Sequence, residues 1–152
     1  MELSKKTKEY WQEEDWKDLE ESKSLKDMRV IAKRILNRMP KPIVQVCGPI
    51  DGSGGLGSLE KNLEAFNMSI IELQKRGLNV FDQMPFEVPM QKLKKKVFNE
   101  VFVKDILDNF YIPIFESGIV SAFYFMPNWE TSNGAKWEHE KAKSLGSKIV
   151  YM

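Results

Sequence analysis

Residues 43–81 read IVQVCGPIDGSGGLGSLEKNLEAFNMSIIELQKRGLNVF, and this stretch decides the fold class. Its first five residues are mostly β-branched and apolar, which is typical of a buried parallel strand. A glycine-rich loop follows, and Ser58 is a suitable N-cap for a helix that Gly77 would end. Residues 78–81 form a second short apolar run. A strand, a crossover helix and another strand within ~35 residues predict an α/β fold with a parallel sheet.

The predicted crossover helix has a single apolar face with helical spacing. Its members are Leu59, Leu63, Phe66, Ile70 and Leu73. Further along the chain, residues 119–126 and 148–151 are apolar enough to form two more strands. Residues 40–152 are therefore predicted to form a Rossmann-like or flavodoxin-like three-layer sandwich with a mostly parallel sheet.

The segment between the second and third predicted strands has two parts. Residues 82–91 contain Pro85 and Pro89, which predicts a loop. Residues 93–109 have a broad apolar side with helical spacing, which predicts a helix, and Asp105 falls on that side.

Residues 1–39 differ in character from the rest of the chain, because a few aromatic side chains stand among many charges. Apolar residues then recur at spacings of three and four, and the helix they predict ends before Pro40. These residues are Leu25, Met28, Ala32, Ile35 and Met39. We expect a helical arm that packs either on its own domain or on a partner subunit, and the first interpretation is favoured.

Composition excludes several classes of partner. The 152 residues are 42% apolar with a net charge of +1, which predicts a packed globule and gives no basis for binding a nucleic acid polymer or an anionic membrane. The longest apolar run, residues 118–127, is far below the ~20 residues of a spanning helix. The charged N-terminus predicts no secretory signal, and a cytoplasmic location fits best. With Cys47 and His139 as the only residues of their types, we expect no disulfide, no closed zinc site and no cofactor, although a carboxylate-bound magnesium ion stays open.

Glu138 lies on the face of the last predicted helix that should point toward the core, where a carboxylate is unexpected. At ~3.6 residues per turn, it shares a stripe with Ala135, Ala142 and Leu145, where a helix that faces a core normally has an aliphatic side chain. An inward-facing carboxylate costs stability unless it is paired or hydrogen-bonded. The position therefore indicates either a catalytic carboxylate or a structural one bound to a cation or backbone amide.

Three segments are expected to meet beyond the carboxyl ends of the strands, where open α/β sheets bind ligands. They are the loop after Cys47, the loop after Phe81, and residues 127–134. The first is glycine-rich, so its backbone can approach a ligand and offer amide donors. The last opens a helix whose free amides suit an anion such as a phosphate, with Ser132 and Asn133 as further donors.

The glycine-rich loop has two other interpretations. Residues 52–57 fit the pattern GxGxxG, and Asp82 ends the next strand where a ribose-binding acid of a dinucleotide site would stand. However, these glycines begin four residues after Gly48, whereas the dinucleotide fingerprint begins directly at the end of the strand. A glycine-rich surface loop with no ligand also remains open.

These motifs resemble the nucleoside 2-deoxyribosyltransferase-like superfamily from about Ile43 to Met152. They are most similar to a branch of small uncharacterised proteins with the signature Trp-Glu-x-Ser-x-Gly-Ala-x-x-Glu, which stands here at residues 129–138. The Gly-Pro-Ile of such proteins stands here at residues 48–50. The helical arm lies outside the resemblance.

The resemblance implies an activity and roles for several residues. The superfamily's Gly-x-x-x-Glu element matches Gly134 to Glu138, which implies that Glu138 is the nucleophile. Asp105 matches the aspartate that assists at the base or sugar. The implied reaction is cleavage of the N-glycosidic bond of a (deoxy)nucleoside or its 5′-monophosphate, with transfer of the sugar to another base or to water. A homo-oligomer is also implied.

The predicted substrate-binding residues come from the loop after the first strand and from the start of the last helix. They are Gly48, Pro49, Ile50, Asp51, Gly52, Trp129, Ser132, Asn133 and Gly134. Two alternatives stay open, namely a non-catalytic nucleotide-binding module with the same pocket and, less favoured, an NAD(P)-binding protein.

Overall fold

The computed structural model describes residues 2–51, 54–94 and 104–152. Within these residues, four strands form one parallel sheet in the order β2-β1-β3-β4. The strands are β1 (Ile43–Cys47), β2 (Asn79–Val80), β3 (Val120–Phe125) and β4 (Lys148–Tyr151). The prediction of a three-layer α/β fold with a parallel sheet is confirmed.

Helices precede, connect and follow these strands. Before the sheet come α1 (Lys5–Tyr10), α2 (Glu13–Glu21) and α3 (Leu25–Arg38). Helix α4 (Leu59–Lys75) joins β1 to β2, and α5 (Met84–Lys94) follows β2. Residues 104–106 are helical and lead into a π-helical turn (Leu107–Tyr111) and α6 (Ile112–Glu116). A 3-10 turn (Trp129–Thr131) precedes α7 (Asn133–Ser144). In the described part of the chain, no helix has both the length and the apolar character needed to cross a membrane.

The sheet has an apolar layer on each face, because successive side chains of a strand point to opposite sides. Val44 and Val46 of β1 belong to the cluster that includes the buried side of α4. Ile43 and Cys47 belong to the cluster that includes α3 and the segment around the π-helical turn. The predicted apolar face of α4 is confirmed at Phe66, Ile70 and Leu73, which are fully buried, whereas Leu59 is exposed.

The prediction of a loop at residues 82–91 is wrong, because α5 occupies most of this segment. Pro85 lies in the first turn, where an amide hydrogen has no partner within the helix, so its ring does little harm there. The Asp82 carboxylate accepts a hydrogen bond from the amide of Met84, the first residue of the helix, which has no partner for this amide within the helix. Burial of Phe86 and Met90 outweighs the hydrogen bond that Pro89 removes.

The helix predicted at residues 93–109 can be assessed only in part, because residues 95–103 lie outside the described residues. From 104 onward the chain is helical and continues to Glu116, beyond the predicted end. The side chains of Phe110 and Ile114 face the core, and Ile106 packs against it. Asp105 precedes this stripe and is exposed, and most of the apolar residues with which it was predicted to share a helix side lie outside the described residues.

The N-terminal helices pack on the same domain that contains the sheet. Met28, Ile31 and Ile35 of α3 are almost completely buried in the cluster that contains strand residues of β1 and β3. Helix α1 is held at the β2 side, where the Thr7 hydroxyl donates to the Asp82 carboxylate over 2.7 Å. The structure therefore bears out the prediction that the arm contacts its own domain.

The strand order defines where a ligand would bind. The chain passes from β1 to β2, which lies on one side of β1. It then crosses to β3, which lies on the other side of β1. The order of the sheet thus reverses between β1 and β3, and open α/β sheets bind ligands at the carboxyl ends of the strands at such a point. Cys47 ends β1, and Phe125 ends β3 beside it.

Candidate functional site

Glu138 projects from α7 toward the carboxyl end of β1. Ser132 caps this helix by accepting a hydrogen bond from the amide of Ala135 over 3.1 Å, which fixes where the helix begins. Ala135 and Ala142 are buried, as the stripe predicts, and Glu138 between them is half-buried. Leu145 is 40% exposed, because the helix ends at the preceding residue.

The carboxyl group of Glu138 contacts two side chains of β1. The Cys47 thiol donates to Oε2 of Glu138 over 3.3 Å, and Nε2 of Gln45 donates to the same oxygen over 3.4 Å. Neither donor is charged, and among the described residues no cation pairs with this carboxylate. The arrangement therefore differs from the structural carboxylate bound to a cation that the sequence left open.

A second carboxylate lies close enough to act on the first. Glu87 of α5 is buried, and the Tyr111 hydroxyl donates to its Oε1 over 3.0 Å. Desolvation is the main cause that raises the pKa of Glu138 to about 8, and the charge of Glu87 raises it further, while the hydrogen bonds from Cys47 and Gln45 oppose the shift. We call Gln45, Cys47, Glu87, Tyr111 and Glu138 the inner polar cluster.

Burial also changes the other acids of this cluster. Desolvation, together with the charge of Glu138, raises the pKa of the Cys47 thiol well above its ordinary value. Desolvation and the charge of Glu87 do the same to the pKa of Tyr111. Both groups are therefore neutral hydrogen-bond donors at physiological pH. The groups of this cluster that can react as bases or nucleophiles are its carboxyl groups.

Two amide oxygens next to this site have no hydrogen-bond partner among the described residues. They are Oε1 of Gln45 and Oε1 of Gln83. Both side chains are almost completely buried. The Nε2 of Gln83 donates to the carbonyl of Val46 over 3.1 Å, which places its amide beside β1. A buried acceptor without a donor costs free energy in the folded protein.

The glycine-rich loop is held by a buried asparagine of α4. Asn62 accepts from the amide of Leu56 and donates to the carbonyls of Asp51 and Gly54. The loop also meets the start of α7, because the amide of Gly55 donates to the Thr131 hydroxyl over 2.7 Å. Two of the three predicted segments are therefore brought together.

Glycine at two positions permits close approach of these loops. A β-carbon at Gly48 would stand 2.5 Å from Sδ of Met126, just after β3. A β-carbon at Gly54 would collide with the backbone carbonyl of Thr131. The close approach of the loop after β1 to the start of α7 therefore requires glycine at position 54, where the clash is with backbone.

The remaining predicted site residues lie at different depths. Gly48 and Pro49 are buried, Ile50, Asp51, Ser132 and Gly134 are half-buried, and Asn133 is exposed. Gly52 lies outside the described residues. Asp105, the predicted second catalytic residue, is exposed, whereas Glu138 is half-buried.

Trp129 and His139 stack on each other. Their ring centroids are 4.3 Å apart with planes 19° from parallel, and His139 Nε2 lies 2.6 Å from the Tyr151 hydroxyl. His139 is half-buried between Trp129 and Phe125. One partner of the Trp129 ring is thus a side chain of α7.

Asp82 has a structural environment. One of its oxygens accepts from Thr7 and the other from the amide of Met84, and burial raises its pKa. Both oxygens are thus engaged within the protein, which argues against the ribose-binding role that a dinucleotide site requires. In the described part of the chain, no group of three or more His, Cys, Asp or Glu side chains is placed to hold a metal ion.

The sequence predicts that Glu138 faces inward, but it does not predict most of the side chains that surround this carboxyl group. Gln45 stood within an apolar strand, and the polar residue in such a run was the available signal. Glu87 lay in a segment predicted as a loop, and Tyr111 lay beyond the predicted end of its helix.

Comparison with known proteins identifies the family of the chain. The model of a family described as "Domain of unknown function (DUF4406)" matches residues 43–151, which is most of the chain, so the chain belongs to this family. No curated protein and no solved structure matches it significantly.

Proposed function

We propose that this member of the DUF4406 family cleaves or transfers the N-glycosidic bond of a (deoxy)nucleoside or nucleoside 5′-monophosphate, with Glu138 as the nucleophile. One observation supports this most directly. An inward-facing carboxyl group stands at the switch point of the sheet and is held by two neutral donors, Cys47 and Gln45. A purely structural carboxylate at this depth would normally be paired with a cation.

The proposed reaction has two steps. An oxygen of ionised Glu138 attacks the anomeric carbon while the bond from that carbon to the base nitrogen breaks, and the base leaves with the bonding electron pair and takes up a proton from an acid. The product is a glycosyl ester of Glu138. Water or a second base then attacks the same carbon, the bond from that carbon to the Glu138 oxygen breaks, and the proton of the attacking molecule returns to the acid that protonated the first base. The result is hydrolysis or transfer with retained configuration.

The second acid has two candidates. Asp105 keeps the role that the resemblance implies, but its exposed position requires substrate to bring it into the site. Glu87 is buried, and its charge acts on Glu138, so it is suited to influence how readily that residue ionises. We therefore propose that Glu87 controls the ionisation of Glu138 and that Asp105 protonates the departing base.

The phosphate or 5′ hydroxyl is proposed to bind at the start of α7. The amides of the first turn and the positive end of the helix dipole favour an anion, and Ser132 adds a hydroxyl. The loop at Gly48 to Asp51 would contact the sugar from the opposite side. Trp129 would contact the base.

A second candidate function is a binding module that does no chemistry. The raised pKa of Glu138 favours it, because a carboxyl group with a pKa of about 8 is mostly protonated at neutral pH and can donate a hydrogen bond to a bound nucleotide. An NAD(P)-binding protein is disfavoured by the contacts of Asp82 described above.

Chromatography of a panel of nucleosides and nucleotides incubated with the protein tests the proposal. We expect free base from at least one compound with the wild type and with Glu140→Gln, an exposed carboxylate on the same helix. Glu138→Gln should release base at least 100-fold more slowly. Tight binding without release would favour the module, and equal release by Glu138→Gln would remove Glu138 from the mechanism.

A further inference from the structure

The amide group of Gln45 donates a hydrogen bond to the candidate nucleophile, and the oxygen of the same amide has no partner among the described residues. Its Nε2 donates to Oε2 of Glu138 over 3.4 Å, so the amide group is held beside the carboxyl group. Its Oε1 sits on the same carbon as Nε2 and has no partner among the described residues. The side chain is fully buried, so the unpaired oxygen has a real free-energy cost in the ligand-free protein.

The position of a sugar in this site limits what can satisfy that oxygen. For attack, the anomeric carbon must come within about 3–3.5 Å of a Glu138 oxygen. The carbon next to the anomeric carbon carries the 2′ substituent, so a 2′ hydroxyl lies nearer to the nucleophile than the 3′ or 5′ hydroxyls. The 5′ group is directed toward the start of α7 in the proposed orientation. The 2′ hydroxyl is therefore the donor best placed to reach Oε1 of Gln45.

We propose that Gln45 is a specificity residue that accepts a hydrogen bond from the 2′ hydroxyl through its free Oε1, so that the site prefers ribosyl over 2′-deoxyribosyl ligands. This inference rests on the proposed function and specifies its substrate class. A ribosyl ligand supplies the donor that the buried oxygen lacks. A 2′-deoxyribosyl ligand leaves that oxygen unpaired in a closed site.

Calorimetric binding of ribose 5-phosphate and 2-deoxyribose 5-phosphate to the full chain tests this preference without any need for turnover. We expect the wild type to bind ribose 5-phosphate about tenfold more tightly, which is the net effect of one hydrogen bond. Gln45→Met keeps the length of the side chain but removes the oxygen, so the ratio of the two dissociation constants should fall to near one. Gln45→Leu serves as a second variant with the same expectation.

Gln83→Met is the matched control. It removes another buried oxygen without a partner among the described residues, but that amide is bonded to the backbone of Val46 rather than to Glu138, so the ratio should stay near the wild-type value. Equal binding of both sugars by the wild type would overturn the inference and leave the proposed function standing. An unchanged ratio in folded Gln45→Met would also overturn it. Binding of neither sugar phosphate would overturn the inference, whereas the proposed function is tested separately by the release of free base.

Discussion

The Cys47 thiol, at the carboxyl end of β1, donates a hydrogen bond over 3.3 Å to Oε2 of Glu138 on α7. The only cysteine of the chain is thus a neutral donor to the candidate nucleophile. Its raised pKa keeps the sulfur protonated, so this thiol acts through the carboxyl group and has little nucleophilic character of its own.

Removing this donor should change the ionisation of Glu138. Because the hydrogen bond from Cys47 lowers the pKa of Glu138, we expect Cys47→Ala to raise that pKa above about 8, whereas Cys47→Ser keeps a donor and should not. The pKa is measured from the ¹³C carboxyl resonance of Glu138 during a pH titration, and that resonance is assigned by its loss in Glu138→Gln. Identical titration of Cys47→Ala and the wild type would show that the thiol has no such effect.

The raised pKa of Glu138 also predicts how stability depends on pH. The pKa is 4.5 for an ordinary glutamate and about 8 in the folded protein, so the folded state holds a proton between these values that the unfolded state has lost. The resulting stabilisation is fully present below pH 4.5 and disappears as the pH rises through 8. Glu138 should therefore lower the free energy of unfolding by up to about 1.4 kcal/mol per pH unit across this window.

Urea denaturation at several pH values checks this slope. Glu138→Gln should remove its share of the slope and be more stable than the wild type at pH 8, since no buried charge then forms. Glu140→Gln changes an exposed carboxylate on the same helix and should keep the wild-type slope. A slope that survives in Glu138→Gln would mean that other groups produce it.

Gly134→Ala should separate stability from ligand binding. A β-carbon at Gly134 would meet only the Ser132 hydroxyl, at an ordinary distance of 3.8 Å. Because alanine is the better helix former, we expect the free energy of unfolding to rise by about 0.5–1 kcal/mol. If the first turn of α7 holds a phosphate, the added methyl group should weaken binding of a nucleoside 5′-monophosphate. Calorimetry that finds unchanged affinity would place the phosphate elsewhere.

Thr7→Val should loosen the contact between α1 and the sheet. The variant removes the hydroxyl that donates to Asp82 and leaves a buried carboxylate oxygen without that donor. We expect a loss of about 1–3 kcal/mol in the free energy of unfolding, measured by urea denaturation. Thr7→Ser keeps the hydroxyl and should lose less. Unchanged stability of Thr7→Val would show that the hydrogen bond from Thr7 to Asp82 contributes nothing measurable.

The parts of the fold that could be predicted are those with strong local signals. Strand β1 and the Ser58 cap of α4 each follow from a few neighbouring residues. Helix α5 could not be predicted in this way, because Pro85 and Pro89 are local signals against a helix. The burial of its apolar side chains depends on the rest of the fold.

The candidate site also has residues that local sequence signals predict and residues that they do not. Glu138 could be found because a carboxylate on an apolar stripe is visible in the sequence of a single helix. Gln45, Glu87 and Tyr111 lie on other elements, and only the folded chain brings them to the same carboxyl group. The exposure of Asp105 likewise depends on where the core lies around the π-helical turn.

The packing of α3 bears on how shortened versions of this protein should be designed. The family match begins at residue 43, yet Ile35 and Leu36 share an apolar cluster with Phe110 and Phe123. An expression clone trimmed to the matched region would present those aromatic rings to water, and such a patch promotes aggregation. Truncations meant for assays or crystallisation should therefore keep α3.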